Sequence, residues 1–112
     1  MAAYTELYMD QGTTFSNILT LTDDLTSASI NVSGYTVRSQ MRRSYYSANA
    51  TANITCTITN ASSGEITMSL TDGQTANIKA GRYLFDVETV DTGGVVSRVL
   101  EGIITVTPGV TK

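Results

Sequence analysis

The chain reads ANITCTIT over residues 52–59 and EITMSLT over residues 65–71. In both stretches apolar side chains take every second position, and most positions between them carry a hydroxyl group. A β-strand turns successive side chains to opposite faces, so this period of two predicts strands with one face in a core and the other in water. Threonine suits the outward face because it is both β-branched and polar. The two stretches therefore predict an all-β protein.

The same period of two extends outward from these strands to most of the chain. Short strands that recur about every 8–12 residues, separated by turn residues, are typical of a β-sandwich or a barrel. The segment Thr71–Lys79 instead predicts one short helical turn, closed by Gly81. Further strands are predicted at Tyr4–Met9, Thr13–Thr22, Tyr35–Tyr45, Arg82–Glu88 and Val95–Thr107, which together make one domain over residues 1–112.

Two of the predicted strands depart from simple alternation. Ile18 is out of phase with the other apolar residues of its strand, and a bulge near Asn17 would reconcile them. The last strand is apolar on both faces, with Val95, Val99 and Ile103 on one of them. Such a strand either docks on a partner or contains a bulge that turns both sets inward in succession, which we would place near residue 102. The sequence leaves these two interpretations open.

The composition narrows the possible functions. The 112 residues carry a net charge of −3 and contain no histidine and one cysteine. Histidine is the commonest general base and metal ligand, so we expect neither catalysis nor a metal or cofactor. A net acidic chain suits nucleic acid poorly, and no apolar run is long enough to cross a membrane. The N-terminus lacks the basic start and apolar run of an export signal, which predicts synthesis and use without export.

Three groups of residues could carry chemistry, and each has a simpler interpretation. Asp23 and Asp24 could bind calcium, but adjacent acids also suit a turn, and the EF-hand spacing is missing. Asp86 and Glu88 share a predicted strand face and could act as paired carboxylates, or they could lie on a solvated face. Cys56 stands between two inward isoleucines and is expected in the core.

One stretch combines basic and aromatic residues, namely Arg38, Arg42 and Arg43 with Tyr45 and Tyr46. Stacking on tyrosine and charge from arginine could bind nucleic acid. Three arginines in an acidic domain are a weak signal for that function. The stretch favours cross-strand ion pairs on an outer face, or contact with an acidic protein partner.

Several signatures follow one another in a characteristic order. They are LTD at residues 21–23, VSGYTV at 32–37, QMR at 40–42, ITMSLT at 66–71, AGRYLFDV at 80–87, LEGIITV at 100–106 and PGVT at 108–111. Their order covers nearly the whole chain and resembles a family of short β-sandwich virion proteins from tailed bacteriophages. It is similar to the N-terminal domain of lactococcal-type upper baseplate proteins, and to small structural proteins of cyanophage myoviruses.

The resemblance implies an immunoglobulin-like antiparallel β-sandwich of about seven strands with one short helical turn. It also implies a module placed in many copies on a virion, where it docks on a head, neck, tail or baseplate lattice. The partners would be other virion proteins and, in a homo-oligomer, further copies of the chain. We expect docking through Val95, Val99 and Ile103, with Arg38 and Arg42 on a polar surface.

A carbohydrate-binding or host-adhesion module is the alternative function. The chain has six tyrosines, whose rings could stack on sugars. Tyr45 and Tyr46, beside the small polar loop at residues 47–53, are the predicted glycan contacts. An enzyme is the least favoured class, since no histidine is present to activate a serine or cysteine nucleophile.

Overall fold

The computed structural model describes residues 3–22, 30–44, 46–47 and 49–110. Over these residues the chain forms seven strands and one short helix, so the predicted all-β fold is confirmed. The elements are β1 (Ala3–Asp10), β2 (Phe15–Thr20), β3 (Thr36–Arg42), β4 (Ala52–Asn60), β5 (Glu65–Leu70), α1 (Asp72–Ala76), β6 (Gly81–Val90) and β7 (Val96–Thr107).

The strands follow the order β1-β7-β6-β3-β4-β5-β2. The order divides into two halves, β1-β7-β6-β3 and β5-β2, which β4 joins. The first residues of β4 pair with β3, and its residues 55–60 pair with β5. Most buried side chains of both halves form one hydrophobic cluster that includes residues of every strand, and Leu21, Val32 and Ile66 form a second cluster. The sheet therefore folds over on itself, and each half presents one face to the core and an outer face to solvent.

The pairing of the inner strands matches the immunoglobulin arrangement. β6 lies between β3 and β7, and β2 lies beside β5, as the C-F-G and B-E strands do in that fold. Tyr83, near the start of β6, donates a hydrogen bond from its hydroxyl to the Lys79 carbonyl oxygen at 2.6 Å. The tyrosine corner of immunoglobulin domains makes a similar contact.

The expectation of a purely antiparallel sheet is wrong, because β1 runs parallel to β7. Thr5 stands opposite Gly102 in this pair, and Met9 stands opposite Val106. A short hairpin forces neighbouring strands to be antiparallel, but the whole domain separates β1 from β7. The periodicity of either strand carries no information about their relative direction.

The short helix is confirmed, and its N-terminus is held by a capping box. The Thr71 hydroxyl accepts from the Gln74 backbone N–H, while the Gln74 side chain accepts from the Thr71 backbone N–H. The predicted closure by Gly81 is wrong. Asn77 caps the C-terminus, and Gly81 instead begins β6 with a φ of 146°.

The bulge predicted near Asn17 is absent from β2. Phe15 through Thr20 pair with β5 without a register shift. Ile18 keeps its phase and points outward, with 61 % of its surface exposed. The apolar side chain is thus a surface residue of an edge strand, which single-strand periodicity cannot distinguish from a bulged core residue.

A bulge does occur in β7, but at Val99 rather than near Gly102. Leu100 stands opposite Val87 while Arg98 stands opposite Glu88, so Val99 is the extra residue. Val99 packs against the core together with its neighbour Leu100. The bulge therefore turns two successive apolar side chains inward, as the second interpretation of this strand expected.

Candidate interaction surface

The bulge at Val99 separates the residues predicted to form one docking stripe. Val95 lies in the β6–β7 connection and is 59 % exposed, whereas Val99 is half-buried against the core. Ile103 stands opposite Leu84 and points away from the core, because its neighbour Ile104 is fully buried. The premise that these three predicted residues share a face is wrong, and Ile103 alone lies on the outer side of the sheet.

We call the solvent side of β1, β7, β6 and β3 the outer face. Arg38 stands opposite Glu88 and Arg42 stands opposite Leu84, so both predicted arginines lie on this face with Ile103. The structure thus brings together three of the five predicted interface residues. Their outward direction follows from the alternation in β3, where the intervening Ser39 and Met41 are buried.

Two tyrosines on β1 extend the outer face to the edge of the sheet. Tyr4 stands opposite Glu101 and Tyr8 stands opposite Thr105, one on each side of Ile103. They are 62 % and 68 % exposed. Sequence reasoning missed them, although their four-residue spacing places both on one face of the predicted first strand.

Ion pairs on the outer face join β3 to β6 and β7 to β6, and a third pair lies within β7. Arg38 contacts Glu88 at 2.9 Å, and Arg98 contacts both Asp86 at 3.3 Å and Glu101 at 3.4 Å. Asp86 and Glu88, the predicted carboxylate pair, are therefore each engaged by a different arginine. Because these side chains are partly exposed, we expect the pairs to fix surface geometry more than to stabilise the fold.

The charged side chains border a shallow groove of about 640 Å³ over β3, β6 and β7. Arg42 lines it and donates hydrogen bonds to the Ser47 carbonyl oxygen at 2.8 Å and to the Gln40 side-chain oxygen at 2.9 Å. The Gln40 amide in turn donates to the Asn53 side chain at 2.8 Å. In the described part of the chain, Arg42 is the one groove arginine without an ion-pair partner.

One carboxyl group in this groove, that of Asp86, has a raised pKa. Partial burial raises the pKa of Asp86, the negative charges of Glu88 and Glu101 raise it further, and the Arg98 guanidinium opposes the shift. A carboxyl group with a raised pKa inside a groove is a common feature of functional sites. It also occurs wherever acids crowd a strand face, so the pKa shift alone assigns no chemistry.

The predicted basic and aromatic stretch does not form one surface. Arg43 leaves the outer face and stacks on the Tyr83 ring, with 4.9 Å between the guanidinium carbon and the ring centroid. Tyr46 is 95 % exposed beside Ser47, whose carbonyl oxygen holds Arg42. Tyr45, the other predicted glycan contact, lies outside the described residues.

Cys56 takes the core position expected from its isoleucine neighbours. It is half-buried and packs against the hydrophobic core. Burial raises the pKa of the Cys56 thiol from 9.0 to about 11. The thiol is therefore protonated at neutral pH and is a weak nucleophile.

No three histidine, cysteine or acidic side chains come close enough to hold a metal ion in the part of the chain that the structure describes. The predicted calcium pair, Asp23 and Asp24, lies outside that part. No helix within the described ranges is long and apolar enough to span a membrane.

No protein-family model matches the sequence. A search of curated proteins likewise finds no significant match.

Proposed function

We propose that this domain is a structural module of a tailed-phage virion and that it docks on other virion proteins through its outer face. The virion assignment is supported by the ordered sequence signatures, from residues 21–23 to residues 108–111, that resemble small phage structural proteins. The docking assignment is carried by one structural observation. Tyr4, Tyr8 and Ile103 lie on the same sheet face as Arg38, Arg42 and Arg98.

The composition of the outer face suits a protein partner. Tyrosine and arginine are enriched at the energetic centres of protein interfaces, because each combines a large contact area with hydrogen bonding. Tyr8 and Ile103 supply apolar area near the β1 edge, while Arg38 and Arg42 supply donors on β3. The ion pairs hold Arg38 and Arg98 in place before a partner arrives, which lowers the conformational entropy lost on docking.

The virion assignment is tested on particles of the phage whose genome encodes the chain. We expect quantitative mass spectrometry of purified particles to find the protein in many copies. Its absence from purified particles, despite expression in infected cells, would overturn the assignment.

The docking assignment is tested by matched substitutions, one on the outer face and one on the solvent side of β4 and β5. Tyr8→Asp changes an exposed side chain of the outer face, and Thr57→Asp changes an exposed side chain on the β4–β5 side. We expect Tyr8→Asp to lower incorporation into particles at least tenfold, because docking would bury an unpaired charge. Thr57→Asp is expected to leave incorporation unchanged. The reverse result would place docking on the other face.

The groove and the exposed Tyr46 favour glycan binding as a second candidate function. Hydrogen-bonding side chains such as Gln40, Asn53 and Arg42 can match the hydroxyl groups of a sugar, and an exposed tyrosine ring can stack on it. Micromolar binding on a glycan array that Tyr46→Ala abolishes would support this function. No signal across a broad array would count against it.

A further inference from the structure

β2 forms one end of the sheet, and among the described residues its outer edge has no partner strand. Its neighbour on one side is β5, and no strand among the described residues pairs with its other side. A groove of about 240 Å³ separates the first half of β2 from β1. The described residues therefore leave this edge of β2 without a strand partner.

The direction of the free backbone groups follows from a single hydrogen bond. The Leu21 N–H donates to the Gly64 carbonyl oxygen at 2.9 Å, toward the β5 side. Backbone groups alternate between the two sides of a strand, so the odd-numbered residues of β2 face β5. The N–H and C=O groups of Ser16, Ile18 and Thr20 consequently point to the open edge.

β2 lacks the usual protection of an edge strand. Its sequence, FSNILT, contains no charge and no proline, and its pairing contains no bulge. Natural proteins use such features to prevent strands of different molecules from pairing. The opposite edge strand, β1, carries the exposed acids Glu6 and Asp10. Ile18 of β2 is instead an exposed apolar residue at the middle of an unprotected edge.

The strand is complementary to a second copy of itself. In an antiparallel pair about a two-fold axis at Ile18, that residue meets the Ile18 of the other copy, and Ser16 meets Thr20. These are the residues whose backbone groups point to the open edge, so each such pair exchanges two hydrogen bonds. All of their side chains lie on the same face, and the two isoleucines cover each other.

The charged residues near the two paired β2 strands do not oppose formation of the dimer. Seven of the outward residues on β2, β5 and β4 are serine or threonine, and Glu65 is the nearest acid, opposite Thr20. Strand spacing places the two Glu65 carboxylates roughly 20 Å apart in the paired form. That distance exceeds the Debye length of about 8 Å at physiological salt, so their repulsion is screened.

We propose that β2 is a self-association edge and that two copies of the chain join by antiparallel β2–β2 pairing with Ile18 at the two-fold axis. The pairing extends the β4-β5-β2 half of the sheet into a continuous sheet across both molecules. It leaves the outer face free, so it is independent of the proposed virion docking. Because two six-residue strands bury little area, the free dimer is weak and becomes stable where many copies are held together.

The test measures the solution mass by light scattering and sedimentation up to about 1 mM protein, a concentration that reveals weak dimers. We expect the mass to rise from monomer to dimer with concentration. Amide exchange followed by NMR should slow at Ser16, Ile18 and Thr20 as the dimer forms. This protection reports the register of pairing, which mass alone does not.

Two variants and one control identify the edge. Ile18→Lys places two like charges opposite each other, and we expect it to weaken the dimer at least tenfold. Ser16→Pro removes an edge donor at a position where an edge strand tolerates proline, and it should also weaken the dimer. Thr57→Lys, at an exposed site on β4 two strands in from Ile18, should leave the dimer unchanged, and circular dichroism confirms that each variant is folded.

Two outcomes would overturn the proposal. One is a wild-type protein that stays monomeric at the highest concentration. The other is a dimer that both β2 variants leave intact, which would place self-association elsewhere. Neither outcome bears on the presence of the protein in phage particles, so the virion proposal stands or falls on its own test.

Discussion

Thr5 and Gly102 stand opposite each other where β1 runs parallel to β7, and their backbones approach so closely that position 102 has no room for a side chain. An added Cβ on Gly102 would overlap the Thr5 carbonyl oxygen and press on the Phe85 ring at 3.2 Å. Glycine is therefore required at this position by a close approach of two strands and not by a turn.

Gly102→Ala is expected to lower the free energy of unfolding by about 3 kcal/mol, because β1 must move away from β7 to admit the methyl group. Urea unfolding measures this loss. The matched control is Gly73→Ala in α1, where no atom lies closer than 4.0 Å to the added Cβ. The control should raise the free energy of unfolding by about 0.5–1 kcal/mol, since alanine favours a helix. Equal effects at the two positions would contradict the close approach of β1 and β7.

Tyr83→Phe is expected to lower the free energy of unfolding by about 1–2 kcal/mol. The substitution removes the hydroxyl that donates to the Lys79 carbonyl oxygen, while the buried ring remains. Thermal and urea unfolding measure the change. Tyr46→Phe provides the control, because the Tyr46 side chain is 95 % exposed and the loss of its hydroxyl should be neutral. A neutral Tyr83→Phe variant would show that this hydrogen bond does not stabilise the domain.

Asp86→Asn is expected to change how stability depends on pH. The folded state raises the pKa of Asp86 above its ordinary value of 3.8, so the folded protein favours the protonated carboxyl. The stabilisation from this proton is complete below that ordinary value and is lost as the pH rises through the folded pKa. We therefore compare the free energy of unfolding of the two proteins as a difference, wild type minus variant. This difference should fall from pH 3 upward and then level off. A difference that grows with pH would contradict the raised pKa.

Cys56 is expected to react slowly with thiol reagents in the folded protein. A pKa of about 11 instead of 9.0 lowers the thiolate fraction at pH 8 roughly 100-fold. Labelling kinetics at pH 8, with and without denaturing urea, measure the effect. Labelling should speed up at least tenfold in urea, where the burial of the thiol is lost. The same shift predicts that stability declines as the pH rises from 9.0 to about 11.

Most core positions could be predicted from single strands. Ile66, Met68 and Leu70 are buried as their alternation predicted, and so are Phe85 and Val87. Periodicity succeeds at these positions because each strand has one face in the core and is paired in regular register. It fails at Ile18, where an apolar side chain points outward on an edge strand.

The candidate interaction surface could be predicted only in part. Arg38 and Arg42 lie on the outer face because the phase of β3 is regular. Val99 does not, because a bulge shifts the phase of β7 relative to β6. A bulge depends on the pairing of two strands, so the sequence of one strand does not place it. Tyr4 and Tyr8 join the surface only because β1 adds to the β7 edge.

The sequence by itself determined which residues form strands, which face of most strands is buried, and where the capped helix begins at Thr71. These properties depend on neighbours within a few positions along the chain, so alternation and capping encode them locally. The tertiary structure alone decided that β1 runs parallel to β7, that Val99 bulges, and that β2 stands at the end of the sheet. Those properties arise from contacts between segments far apart in the chain, and no local pattern of side chains specifies the partner, direction or register of a distant strand.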